Sequence, residues 1–88
     1  MYYTYILENN EKTLLFVGTT TNLKQVLKDR KNSDMYLVDC SNLIYYEVSD
    51  NEKKALEREN AIKTLTRAER ERLIKAFNPN EQDLSKEL

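Results

Sequence analysis

Three sets of side chains in this 88-residue chain could do chemistry. Ala55, Glu59 and Ile62 fall at i, i+4 and i+7, so a helix through them carries the Glu59 carboxylate on its apolar stripe. Desolvating an unpaired anion is costly, so a carboxylate there needs a partner. It either enters a cleft as a metal ligand or general base, or flanks the core edge and pairs with Lys63 one turn on. The second set is six tyrosines, Tyr2, Tyr3, Tyr5, Tyr36, Tyr45 and Tyr46, in or near strand-like segments. They suit sheet packing, and a phenol beside a carboxylate and a metal could also orient or deprotonate a water if its pKa, ordinarily about 10, were lowered. The third is Arg67, Arg70, Arg72 and Lys75, interspersed with Glu69 and Glu71, which reads as a solvated face or as a phosphate-contacting patch diluted by acids. With no histidine and only Cys40, the usual zinc ligands are missing, leaving carboxylate and water coordination of a hard ion such as magnesium.

These groups must be positioned by a small scaffold. Forty per cent apolar and 33% charged residues suit one compact domain without a second core, burying about 60 to 65% of its unfolded surface. Fourteen basic and 15 acidic residues give a net charge of -1, so any nucleic-acid contact must come from a local patch. The lone Cys40 excludes an internal disulfide framework, and the start at Tyr2, Tyr3 and Tyr5 is unlike a signal peptide, so reducing cytoplasm is the expected compartment. The longest apolar stretches, such as 43–46, are far below the roughly 18 residues that span a bilayer, and no membrane partner is expected.

Residues 2–7 and 13–18 are rich in aromatic and branched side chains and flank a polar turn, predicting a β-hairpin. Gly18, the single glycine, is expected to end the second strand, either as a plain terminator or where φ is positive or another group approaches closely. Leu23, Val26 and Leu27 predict a helix to about Arg30, capped by Thr21 or Asn22, with its apolar stripe on the sheet. Residues 35–39 could be extended, and 43–48 reads as a strand. Ser49 with Glu52, and Thr66 with Glu69, have the spacing of capping boxes, predicting helices to about Thr64 and Phe77. Pro79 ends the second. The expected organisation is one domain over 1–79 and a frayed tail over 80–88, ordered ββα(β)βαα.

In that order the segments resemble the short, stand-alone proteins of the GIY-YIG endonuclease superfamily. Tyr3-Thr4-Tyr5 with Ile6-Leu7 resembles the GIY strand, and Phe16-Val17-Gly18 stands where YIG is expected. Residues 19–27 are similar to the following loop and helix, and Leu43-Ile44-Tyr45-Tyr46-Glu47 to the third strand. Ala55, Arg58-Glu59, Ile62-Lys63, Arg67-Ala68, Leu73-Ile74, Asn78-Pro79 and Asp83-Leu84 extend the likeness across residues 2–84. The resemblance implies an α+β fold in which helices flank a central three-stranded antiparallel sheet. It also implies a single divalent metal, magnesium or manganese, held through Glu59, with Tyr5 as the tyrosine of GIY. Family enzymes cut DNA by attack of a water that tyrosine hydroxyls position or deprotonate, while an arginine stabilises the phosphate in the transition state.

The chain departs from that pattern twice. Phe16 replaces the tyrosine of YIG and Val26 replaces the arginine of the following helix. Losing a preorganised donor at a developing oxyanion commonly costs about 10²-fold or more in rate. Arg30, one turn beyond Val26, could reach back toward the site as a substitute. Glu81 stands where a tryptophan is expected, a change that bears on docking of the tail. Lys24, Lys28, Arg30, Lys63 and Arg67 are the expected nucleic-acid contacts. The expectation is a nuclease-family domain with lost or strongly reduced activity that binds a nucleic acid or a protein. The alternative is an active, metal-dependent, structure-specific endonuclease. A homodimer is also open.

Overall fold

The computed structural model describes residues 1–32 and 40–87, with residues 30–32 and 41 as backbone only; the possible strand over 35–39 and Tyr36 lie outside the described residues. The element order is β1 (Tyr2–Asn9), β2 (Leu15–Thr20), α1 (Leu23–Asn32), β3 (Cys40–Ser49), α2 (Glu52–Thr64), α3 (Arg67–Phe77) and a closing 3-10 turn (Leu84–Glu87). The strands form one antiparallel sheet in the order β2-β1-β3, the expected α+β architecture.

Alternation along β1 divides the core. Tyr5 and Leu7 join Leu23 and Leu27 of α1, Leu43 and Leu84 on one face. Ile6 joins Val17, Ile44, Tyr45, Ile62 and Ile74 on the other, beneath α2 and α3. Ile44 and Tyr45 share a face although adjacent in sequence, because β3 bulges there: Ile6 pairs with Tyr45 and Leu7 with Leu43, leaving Ile44 as the extra residue. The α2 helix is seated by the fully buried Thr4, whose hydroxyl donates to the Ala55 carbonyl at 3.0 Å; the small Ala55 side chain permits that approach.

The hairpin turn is organised by Asn9, whose Oδ1 accepts from the backbone N–H groups of Thr13 and Leu14, both at 2.9 Å. Asn22 caps α1 by accepting from Gln25 N–H. Thr66 and Glu69 form the expected capping box on α3. The box expected from Ser49 and Glu52 is not the one used. Ser49 is still paired in β3, opposite Tyr2, and Asn51 caps α2 by accepting from Lys54 N–H. A residue held in a ladder cannot also supply the cap.

The frayed tail expected after Pro79 is likewise corrected. Asp83 Oδ1 accepts from Leu43 N–H, Leu84 is buried in the core, and Asn78 bonds both Ile44 O and Gln82 O through its side-chain amide. Bulged β3 leaves backbone groups for the tail to satisfy, so the segment docks despite its polar composition. Among the described residues no helix is long and apolar enough to cross a membrane.

Candidate active site on the edge strand

Gly18 does not end β2, which runs on to Thr20, and its φ is not positive. Close approach is what requires glycine there. A Cβ at this position would sit 2.7 Å from the Tyr5 hydroxyl oxygen, 2.8 Å from Tyr5 Cζ and 2.9 Å from Phe16 Cε1. Tyr5 pairs with Gly18 across β1 and β2, so its buried ring lies over the glycine with the hydroxyl against the β2 backbone.

Glu59 reaches the next residue of the same strand. Its Oε1 accepts from the Thr19 hydroxyl at 2.9 Å, and its Oε2 accepts from Lys63 Nζ at 2.9 Å. Tyr5 belongs to the α1 face and Glu59 to a helix on the opposite face, yet both end at the Gly18–Thr19 stretch of edge strand β2. The expected Lys63 pair forms, and the Glu59 side chain is held against the sheet, 17% exposed. Burial pushes the Glu59 carboxyl up, and the bonds from Lys63 and Thr19 outweigh it, so it sits below the ordinary carboxylate range. Thr19 was not singled out by sequence reasoning; its one signal is its place directly after Gly18, one residue beyond the predicted strand and within the observed β2.

The two departures occupy defined positions. Phe16 stacks at a tilt on Tyr5, with ring centroids 6.2 Å apart, and is 39% exposed. Val26 packs against the core group of Tyr5, Leu23 and Leu27. The Arg30 backbone continues α1 and its side chain lies outside the described residues. The other expected cations do not form one patch. Lys24 and Lys28 are exposed on α1, with Lys24 lining a hollow of about 190 Å³ beside Tyr3 and Thr21. Lys63 is engaged by Glu59. Arg67 pairs with Glu71 and lines a cavity of about 330 Å³ at the other end of the hairpin, with Thr13 and Leu14.

As a metal site the arrangement offers one carboxylate. Among the described residues no group of three His, Cys, Asp or Glu side chains gathers. Magnesium keeps several waters and is held by one or two carboxylates together with phosphate oxygens, so Glu59 fits such an ion, or manganese, once Lys63 leaves Oε2.

A second polar cluster lies on the opposite edge. Tyr45 donates to Glu47 Oε2 at 2.6 Å and Arg58 Nε donates to Glu47 Oε1. Burial and the Glu47 hydrogen bond push the Tyr45 phenol up to about 12, the wrong direction for a base at neutral pH. Burial pushes Glu47 up, but its bonds from Arg58 and Tyr45 leave it below the ordinary carboxylate range.

The central three-stranded antiparallel sheet with its flanking helices is the architecture that the resemblance to GIY-YIG domains implies. A family model of the GIY-YIG catalytic domain matches residues 1–73, and the chain belongs to that family. It is 31% identical over 98 aligned residues to the UPF0213 protein CPE1444 of Clostridium perfringens (strain 13 / Type A), covering 100% of this chain and 98% of the relative. The solution NMR structure of the UPF0213 protein BH0048 from Bacillus halodurans matches with a TM-score of 0.61 at 21% identity, over 98% of this chain and 96% of that one. That second likeness is one of fold.

Proposed function

We propose that this GIY-YIG domain has lost, or strongly reduced, DNA endonuclease activity and works by binding a nucleic acid or a protein. The observation that carries the reading is Val26, an apolar side chain packed against the core at the position where the family resemblance expects a transition-state arginine. Phe16 removes one hydroxyl, but its ring remains as packing against Tyr5. Glu59, held between Thr19 and Lys63, would carry magnesium or manganese. When bound, such an ion supplies Lewis-acid stabilisation of phosphate charge. Lys63 would neutralise phosphate oxygens beside it, and Tyr5 would orient a water or a phosphate oxygen at Gly18.

The second reading, an active structure-specific endonuclease using Tyr5, Glu59 and Arg30, is favoured by one observation. The glycine clearance that admits the Tyr5 hydroxyl next to the Glu59 contact is intact. The two readings separate when protein with magnesium or manganese is incubated with linear, nicked, flapped and four-way DNA, and binding and cleavage are followed in parallel. Binding or inertness without cleavage, unaltered by Glu59→Ala, is the expected result. Metal-dependent cutting abolished by Glu59→Ala would establish the active enzyme instead.

A further inference from the structure

Strand β2 lies at one edge of the sheet, and among the described residues no strand pairs with its outer side. Edge strands are ordinarily guarded by charge, proline or a covering element. Here residues 13–23, Thr13 through Leu23, form the longest uncharged run in a chain that is 33% charged. Leu14, Leu15 and Phe16 in that run are 47%, 38% and 39% exposed. Leu15 and Phe16 alternate along the strand, so apolar surface is open on both sides of the sheet at this edge. A helix laid on one face would cover only half of it, whereas an added strand brings side chains to both.

We propose that the β2 edge is a self-association surface, on which β2 of a second copy of this chain pairs antiparallel to extend the sheet across a twofold axis. Symmetric antiparallel pairing sets residues at the axis against their own copies, so a charge near the axis would meet its like. The uncharged run removes that repulsion and makes β2 complementary to itself. A strand paired here runs beside Gly18 and Thr19, the residues at which Tyr5 and Glu59 end, so the dimer would close the candidate site. This surface stands independently of whether the domain hydrolyses DNA.

The test is the mass in solution of the full chain across a concentration series, measured by light scattering after size exclusion. It compares wild type with Leu15→Lys and Phe16→Lys, partly exposed positions on β2. The wild type is expected at the mass of two chains and both variants at the mass of one, with unchanged circular dichroism. Should the variants fail to fold, backbone hydrogen exchange on the wild type decides. Amides of β2 then slow as concentration rises through the association range, and an unchanged rate overturns the proposal. A wild-type monomer at every concentration also overturns it. So does a dimer that survives both substitutions, including one lost only on Val48→Lys at the opposite edge, where Val48 is 49% exposed.

Discussion

At the scale of single residues, Gly18 and Glu59 carry most of the account. Because a methyl at Gly18 would meet Tyr5 Oη at 2.7 Å, Gly18→Ala forces the buried ring aside. We expect a loss of about 1 to 3 kcal/mol in urea unfolding, the ordinary cost of overpacking. The Glu59 carboxyl, lowered in the folded state chiefly by Lys63 and Thr19 against the effect of burial, stabilises the fold fully above the ordinary carboxylate pKa. That contribution is lost as pH falls through the lowered folded value. The stability difference between wild type and Glu59→Gln should therefore shrink as unfolding is measured at successively lower pH below about 4. Lys63 is half exposed, so the difference at neutral pH is small. The place of Glu59 on a half-apolar helical stripe was legible in the sequence. Its bond to Thr19 was not, because it joins residues 40 apart whose meeting depends on where α2 crosses the sheet.

At the scale of elements, strands and helices follow from local pattern, and departures arise where tertiary contacts override it. The hairpin, α1, the two later helices and the Thr66 capping box were all readable from periodicity and cap residues. Thr66→Ala should cost about 0.5 to 2 kcal/mol in thermal or chemical unfolding, since it removes the acceptor for Glu69 N–H. Ser49 and the tail depart from the sequence expectation for one reason: β3 is longer than its densest β-forming core and bulged. It holds Ser49 in the ladder and leaves Leu43 N–H for Asp83. A bulge that turns adjacent Ile44 and Tyr45 to one face has no signature in simple alternation. The docked tail gives Leu84→Ala a predicted loss of about 2 to 5 kcal/mol, checked by denaturant midpoint, where a frayed tail would give none.

At the scale of the whole molecule, the chain has the three-stranded sheet of its family, with Gly18 beneath Tyr5 and Glu59 bonded to Thr19, while Val26 and Phe16 stand in two places that the family resemblance gives to reactive groups. Net charge of -1 and cations dispersed over α1, Lys63 and the far end of the hairpin make any DNA affinity shallow in its salt dependence. A steep loss of binding with added salt would reveal a concentrated phosphate-binding face that this dispersion does not provide. On the proposed reading, Phe16 and Val26 keep the site from cutting, and a variant that supplies the hydroxyl and the cation at those two positions puts this to the test. Single-turnover cleavage of nicked and branched DNA with magnesium would compare wild type, Phe16→Tyr with Val26→Arg, and that double variant carrying Glu59→Ala. The account predicts no cutting by wild type above the background of the Glu59→Ala protein. In the folded double variant it predicts a gain of about 10²-fold or more that Glu59→Ala removes. Wild-type cutting that already depends on Glu59, unimproved by the restored residues, would contradict it.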